Sequence, residues 1–170
     1  GGGLGGYCLH CGKAWRWLIP EAYRGTAVNN TLEFLSSVIT VMVEENLPAY
    51  CCVVSQTDST TGKGWLKKSN FYDPIKPNMG IARWFGKFLI DKEICSYSQF
   101  FEGKKNIIAD ILSRDWHLSD EEIIAFLRFV APTQVPQDFR ICPLPSDIVS
   151  MILSLLPLRP KTTPLPKAPI

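Results

Sequence analysis

The stretch EGKKNIIADILSR, Glu102 to Arg114, sets a single aspartate, Asp110, in an apolar run that follows a glycine-lysine turn and Asn106. Ile107, Ile108, Ile111 and Leu112 recur at helical spacing, so the pattern predicts a helix that buries most of its surface. A carboxylate in that setting is costly unless it reaches the exposed edge or finds a partner. Arg114, four residues on, offers an ion pair. A metal shared with other acids is the alternative, and the rest of the chain decides which acids can join it.

Working backward, Ile94 to Phe101 reads as a strand leading into that turn. Before it, Ile81, Trp84, Phe85, Phe88 and Leu89 give the stripe of an amphipathic helix, with Arg83 and Lys87 on its flank. Two prolines between Asp73 and Asn78 predict a loop ahead of this helix. Ala49 to Gln56 is apolar, β-branched or thiol-bearing nearly throughout, which suits a central strand covered on both faces. Upstream again, Leu32, Leu35, Val38, Ile39 and Met42 predict a helix that Asn30 or Thr31 caps and that runs to about Glu45. Leu4 to Leu9 and Ala14 to Ile19 read as strands of a hairpin joined at His10-Cys11-Gly12-Lys13.

Working forward, Ser119 and Glu122 form a capping box for a helix bearing Ile123, Phe126, Leu127 and Val130. A further helix is expected over Ser146 to Leu156. From Pro157 onward five prolines predict an extended tail. The divisions expected are therefore a mixed α/β domain over 1–116, a helical extension over 117–156 and a proline-rich tail over 157–170.

The chain has 170 residues, enough for one sizeable core, since single domains typically run ~100 to 200 residues. A net charge of +2 gives no global pull toward nucleic acid, so any basic binding face must be local. The six cysteines (Cys8, Cys11, Cys51, Cys52, Cys95, Cys142) are scattered, and read as reduced thiols of a cytoplasmic or nuclear protein. Charge or proline interrupts every apolar run well short of the ~20 residues of a membrane span, so no membrane partner is expected. Cys8-Leu9-His10-Cys11 invites a zinc reading, but a structural site takes four ligands and no second paired motif appears. It is read as a turn.

Two more acids deserve comparison with Asp110. Glu33 starts a polar stripe of Ser36, Ser37, Thr40 and Glu44 along the first helix, whose small hydroxyls suit packing against protein as well as solvent. The plain reading is a first-turn glutamate favoured by the helix dipole. Asp58 directly follows the predicted central strand, and ligands collect beyond the carboxyl ends of parallel strands. Its plain reading is an Asx turn or helix cap.

The segments NNTLEFLSSVI, QTDSTTGKGWLKKS and EGKKNIIADILSRD resemble the second, third and fourth acidic motifs of the ribonuclease H domain of retrotransposon reverse transcriptases, gypsy-like or tyrosine-recombinase-type. GGGLGGYCLHCGKAWRWLIP is similar to that domain's first-strand hairpin, and the likeness covers Gly1 to Trp116. The resemblance implies a ribonuclease H-like fold, a mixed five-stranded sheet flanked by helices. It makes Glu33, Asp58 and Asp110 metal-ligating catalytic carboxylates that hold two Mg²⁺ ions, with Mn²⁺ as a substitute. The fourth acid of the family belongs to a strand a few residues before the glycine run, ahead of Gly1. The stretch Gly1 to Ile170 is therefore expected to be one carboxylate short and to cleave little. Phe100 and Glu102 also depart from the family's usual His and Pro.

The implied substrate is an RNA:DNA hybrid, read by shape and the 2′-OH, and the implied neighbour is an upstream polymerase domain of the same polyprotein. Lys63, Lys67, Lys68, Arg83, Lys87, Lys104 and Lys105 are the candidate phosphate contacts. Each is equally readable as an ordinary solvated cation. The rival function is a non-catalytic nucleic-acid-binding or structural domain of the same fold.

Overall fold

A computed structural model describes residues 2–8, 11–27, 29–44, 47–57, 76–100 and 107–157. Strands β1 (Gly3–Tyr7) and β2 (Lys13–Leu18) form an antiparallel hairpin, with Gly3 opposite Leu18 and Tyr7 opposite Ala14. Gly12 makes the turn at φ 71°, a left-handed conformation that glycine adopts without penalty. Helix α1 (Asn29–Met42) follows, then strand β3 (Cys52–Thr57), helix α2 (Lys76–Lys92) and strand β4 (Cys95–Phe100). Strands β3 and β4 pair in parallel, Cys52 opposite Cys95 and Val54 opposite Tyr97. Helices α3 (Ile107–Arg114) and α4 (Asp120–Val130), the short strand β5 (Arg140–Ile141) and helix α5 (Ser146–Leu155) complete the described chain.

The mixed α/β class holds, but among the described residues the strands do not form one five-stranded sheet. They make a three-stranded sheet in the order β1-β2-β5 and a separate parallel pair, β3-β4. Both sheets lie against α1, so they share a core without sharing a ladder. The third strand of the first sheet is β5, which pairs in parallel with β2 through Lys13-Arg140 and Ala14-Ile141.

Two cores follow from this layout. Leu4, Trp15, Phe34, Leu35, Val38, Ile39 and Ile81 bury together, joined by Ile148 and Ile152 of α5. Ala14, Ile108, Leu112, Ile123, Leu127 and Phe139 form the other. Residues from His117 onward thus pack into both cores. Full burial of each such Leu, Ile or Phe stabilises by ~1.5–3 kcal/mol. At the α1-α2 contact the buried Thr31 hydroxyl donates to Asn78 Oδ1 at 2.7 Å.

Two local expectations change. The segment ending at Asn78 was expected as loop, yet α2 begins at Lys76 with Pro77 in its first turn, where the missing N–H breaks no helical bond. Among the described side chains of β3 one face is covered: Val53 packs on the core while Val54 is 54% exposed. Its partner Tyr97 is exposed with it, so the pair has one bare face. The capping box is present as read, with Ser119 Oγ accepting from the Glu122 N–H at 3.1 Å. The proline-rich residues 158–170 lie outside the described residues.

Candidate functional site

The glycines of β1 explain how the acid-bearing helices are positioned. A Cβ on Gly5 would stand 2.7 Å from Leu112 Cβ, and one on Gly3 would strike the Trp116 ring, so that face of the strand is in contact with α3 and the residues just after it. A Cβ on Gly6, pointing the other way, would strike Thr40 of α1. Strand β1 is therefore clamped between α1, which carries Glu33, and α3, which carries Asp110. Only a strand nearly devoid of side chains permits both approaches.

The polar stripe of α1 is half structural. Thr40 Oγ1 accepts from the Trp15 indole N–H at 3.0 Å and donates to Ser36 O at 2.8 Å, while Ser37 donates to Glu33 O at 3.1 Å. Glu33 itself is exposed one turn into the helix. Asp110 is exposed too, and its Oδ1 lies 3.2 Å from Arg114 Nε. The ion pair anticipated from the i, i+4 spacing is thus formed, between side chains 69% and 54% exposed. Such a pair contributes only ~0.3–0.5 kcal/mol. Arg83 and Lys87 are exposed on α2.

Asp58 comes immediately after Thr57, the last residue of β3, and lies outside the described residues, as do Lys63, Lys67, Lys68, Lys104 and Lys105. Among the described residues neither Glu33 nor Asp110 belongs to a group of three ligating side chains. The group that does form is Cys8, Cys11 and Glu44, at the hairpin turn and the end of α1. The sequence paired the two cysteines but gave no reason to join Glu44 to them, 33 positions from Cys11.

Behind α3 the chain is latched by Arg16 of β2, whose side chain is 10% exposed. Its guanidinium donates to Leu118 O at 2.9 Å and Asp115 O at 3.3 Å, meets Asp120 Oδ1 at 3.3 Å, and lies 4.4 Å from the centre of the Trp116 ring. This fixes where α3 ends relative to β2. No sequence periodicity marks Arg16 for the role.

Comparison with family models, with curated proteins and with solved structures finds no match. Among the described residues no helix is long and apolar enough to cross a membrane.

Proposed function

We propose that this chain carries a ribonuclease H-like domain of a retroelement reverse transcriptase, which cleaves the RNA strand of RNA:DNA hybrids. The observation that carries the reading is the clamping of β1 between the two helices that bear Glu33 and Asp110. Strand β2 occupies one edge of β1 and leaves the other open in the described sheet. A strand preceding Gly1, joined to β1 by a tight turn, would pair on that open edge. It would then run between the same two helices, and a carboxylate on it would come to the acids they carry. Asp58, directly beyond the carboxyl end of parallel strand β3, suits the third place.

The donor set fits the implied ions. Glu33 and Asp110 are exposed oxygen donors, the type Mg²⁺ takes while keeping several waters. The Arg114 contact does not commit Asp110, because a half-kilocalorie surface pair yields readily to a divalent cation. Glu33, Asp58 and Asp110 would hold the ions, which supply Lewis-acid activation of water and stabilise the leaving oxygen. Arg83 and Lys87, exposed on α2, would contact phosphate, and the resemblance proposes the same role for Lys63, Lys67, Lys68, Lys104 and Lys105. The same resemblance proposes a polymerase domain upstream.

The test is hybrid cleavage by the chain alone and by the chain extended with an aspartate-bearing strand ahead of Gly1. The reading expects Mg²⁺-dependent cutting of the RNA strand by the extended chain, with at least a hundredfold loss in Glu33→Gln. It fails if the extended chain does not cut, or if Glu33→Gln cuts as well as the parent.

A further inference from the structure

We infer that the β1-β2 turn and the end of α1 form a binding site for a thiophilic divalent cation, Zn²⁺ in chemical type, held by the Cys8 and Cys11 sulfurs and the Glu44 carboxylate. This site is separate from the Mg²⁺ carboxylates and stands whether or not the nuclease reading holds. The ligating atoms of the three side chains all lie within 4.8 Å of one another. A triangle with sides at that limit has its centre about 2.8 Å from each corner, so a contraction of ~0.5 Å reaches the Zn–S distance of ~2.3 Å. Three protein ligands leave a fourth position for water or another donor.

The backbone aims the two sulfurs together. Cys8 N–H donates to Lys13 O at 2.8 Å and Gly12 N–H to Cys8 O at 3.1 Å, closing the turn around Gly12 at φ 71°. Strand β5 braces it from outside: Arg140 N–H donates to Gly12 O at 3.0 Å, and its guanidinium donates to Cys11 O at 3.1 Å. A turn held this way keeps its ligand geometry without the ion. Glu44 arrives from just beyond α1, where Glu44 N–H still bonds Val41 O at 3.3 Å. The helix dipole disfavours a carboxylate there, so a cation beside it is electrostatically welcome.

The surroundings suit a metal thiolate. Two thiolates, a carboxylate and a divalent cation sum to one negative charge, and the Lys13 ammonium lies near, donating to Val43 O at 2.9 Å. Binding replaces two S–H bonds by two metal–sulfur bonds and releases two protons, with no change of oxidation state. Sulfur ligands select Zn²⁺ over Mg²⁺, which demands oxygen.

Co²⁺ titration of the full chain, kept reduced with a phosphine, reads the site directly. The chain should carry Cys52→Ser and Cys95→Ser, because that exposed pair of thiols is the competing one. One equivalent should give thiolate charge-transfer absorption and the visible bands of tetrahedral cobalt, and Zn²⁺ should bleach both. Cys8→Ser and Cys11→Ser should abolish the signal while circular dichroism stays unchanged, and Glu44→Gln should weaken binding by tenfold or more. If Cys11→Ser does not fold, Glu44→Gln alone decides: unchanged affinity overturns the site. No charge-transfer band, or one that survives Cys8→Ser, overturns it equally.

Discussion

Replacing Gly5 by alanine tests how closely α3 sits on β1. The new methyl would stand 2.7 Å from Leu112 Cβ, 3.0 Å from the Leu112 carbonyl carbon and 3.1 Å from Ser113 N. Carbon atoms rest ~3.5–4.0 Å apart, so α3 must withdraw by about 1 Å. Two of the three obstructing atoms are backbone, and no rotamer change relieves them. Overpacking of this kind costs ~1–3 kcal/mol. Alanine returns ~0.5–1 kcal/mol by stiffening the unfolded chain, leaving a net loss of ~0.5–2 kcal/mol. Gly86 is the internal control, since it lies within α2 with nothing inside 4 Å of its would-be Cβ. There alanine should stabilise by ~0.5–1 kcal/mol. In equilibrium urea unfolding with a slope of ~2 kcal/mol/M, Gly5→Ala should lower the midpoint by ~0.3–1 M and Gly86→Ala should raise it by ~0.3–0.5 M. A Gly5→Ala midpoint at or above that of the parent would refute the contact, and with it the clamping of β1.

Other expectations follow from single contacts. Arg16→Lys should destabilise by ~1–3 kcal/mol in the same unfolding assay, because lysine cannot serve two carbonyls and Asp120 while stacking on Trp116. Ser119→Ala removes the capping box of α4 and should cost ~1 kcal/mol by thermal or urea melting. Stability should hold below about pH 9 and fall as pH rises toward 12. Burial raises Cys11 from its ordinary 9.0 to about 12 and also raises Tyr7, so the unfolded chain loses those protons first. Cys52, raised first by its hydrogen bond with Cys95, acts in the same direction. A unfolding midpoint that stays flat from pH 8 to 11 would contradict this.

The helices were legible because their apolar stripes and caps are local properties. Leu35, Val38 and Ile39 bury as their spacing implies, and Ser119 caps as its partner three residues on suggests. Edge pairing is not local. Nothing in the two residues of β5 distinguishes them from loop, and their strand character comes from Lys13 and Ala14 across the sheet. The division of the strands into two sheets is likewise a matter of which edges meet, which hydrophobic alternation does not encode. Cys52 and Val54 look interior by composition, yet among the described residues their strand has one neighbour, and both side chains are exposed.

The acids divide the same way. The spacing of Asp110 and Arg114 announces an ion pair, and the pair is there at 3.2 Å. Glu44 reads as the last polar position of a helical stripe. Its approach to Cys8 and Cys11 follows from α1 lying along β1, with Thr40 over Gly6 and the helix end over the turn.

The central claim is that Asp110 serves a metal site rather than only Arg114. Hybrid cleavage by the upstream-extended chain in Mg²⁺ should be compared for Asp110→Asn and Arg114→Ala, each of which removes the same 3.2 Å ion pair. The account predicts at least a hundredfold loss for Asp110→Asn and near-parental cutting for Arg114→Ala. Equal activities in the two variants would contradict it.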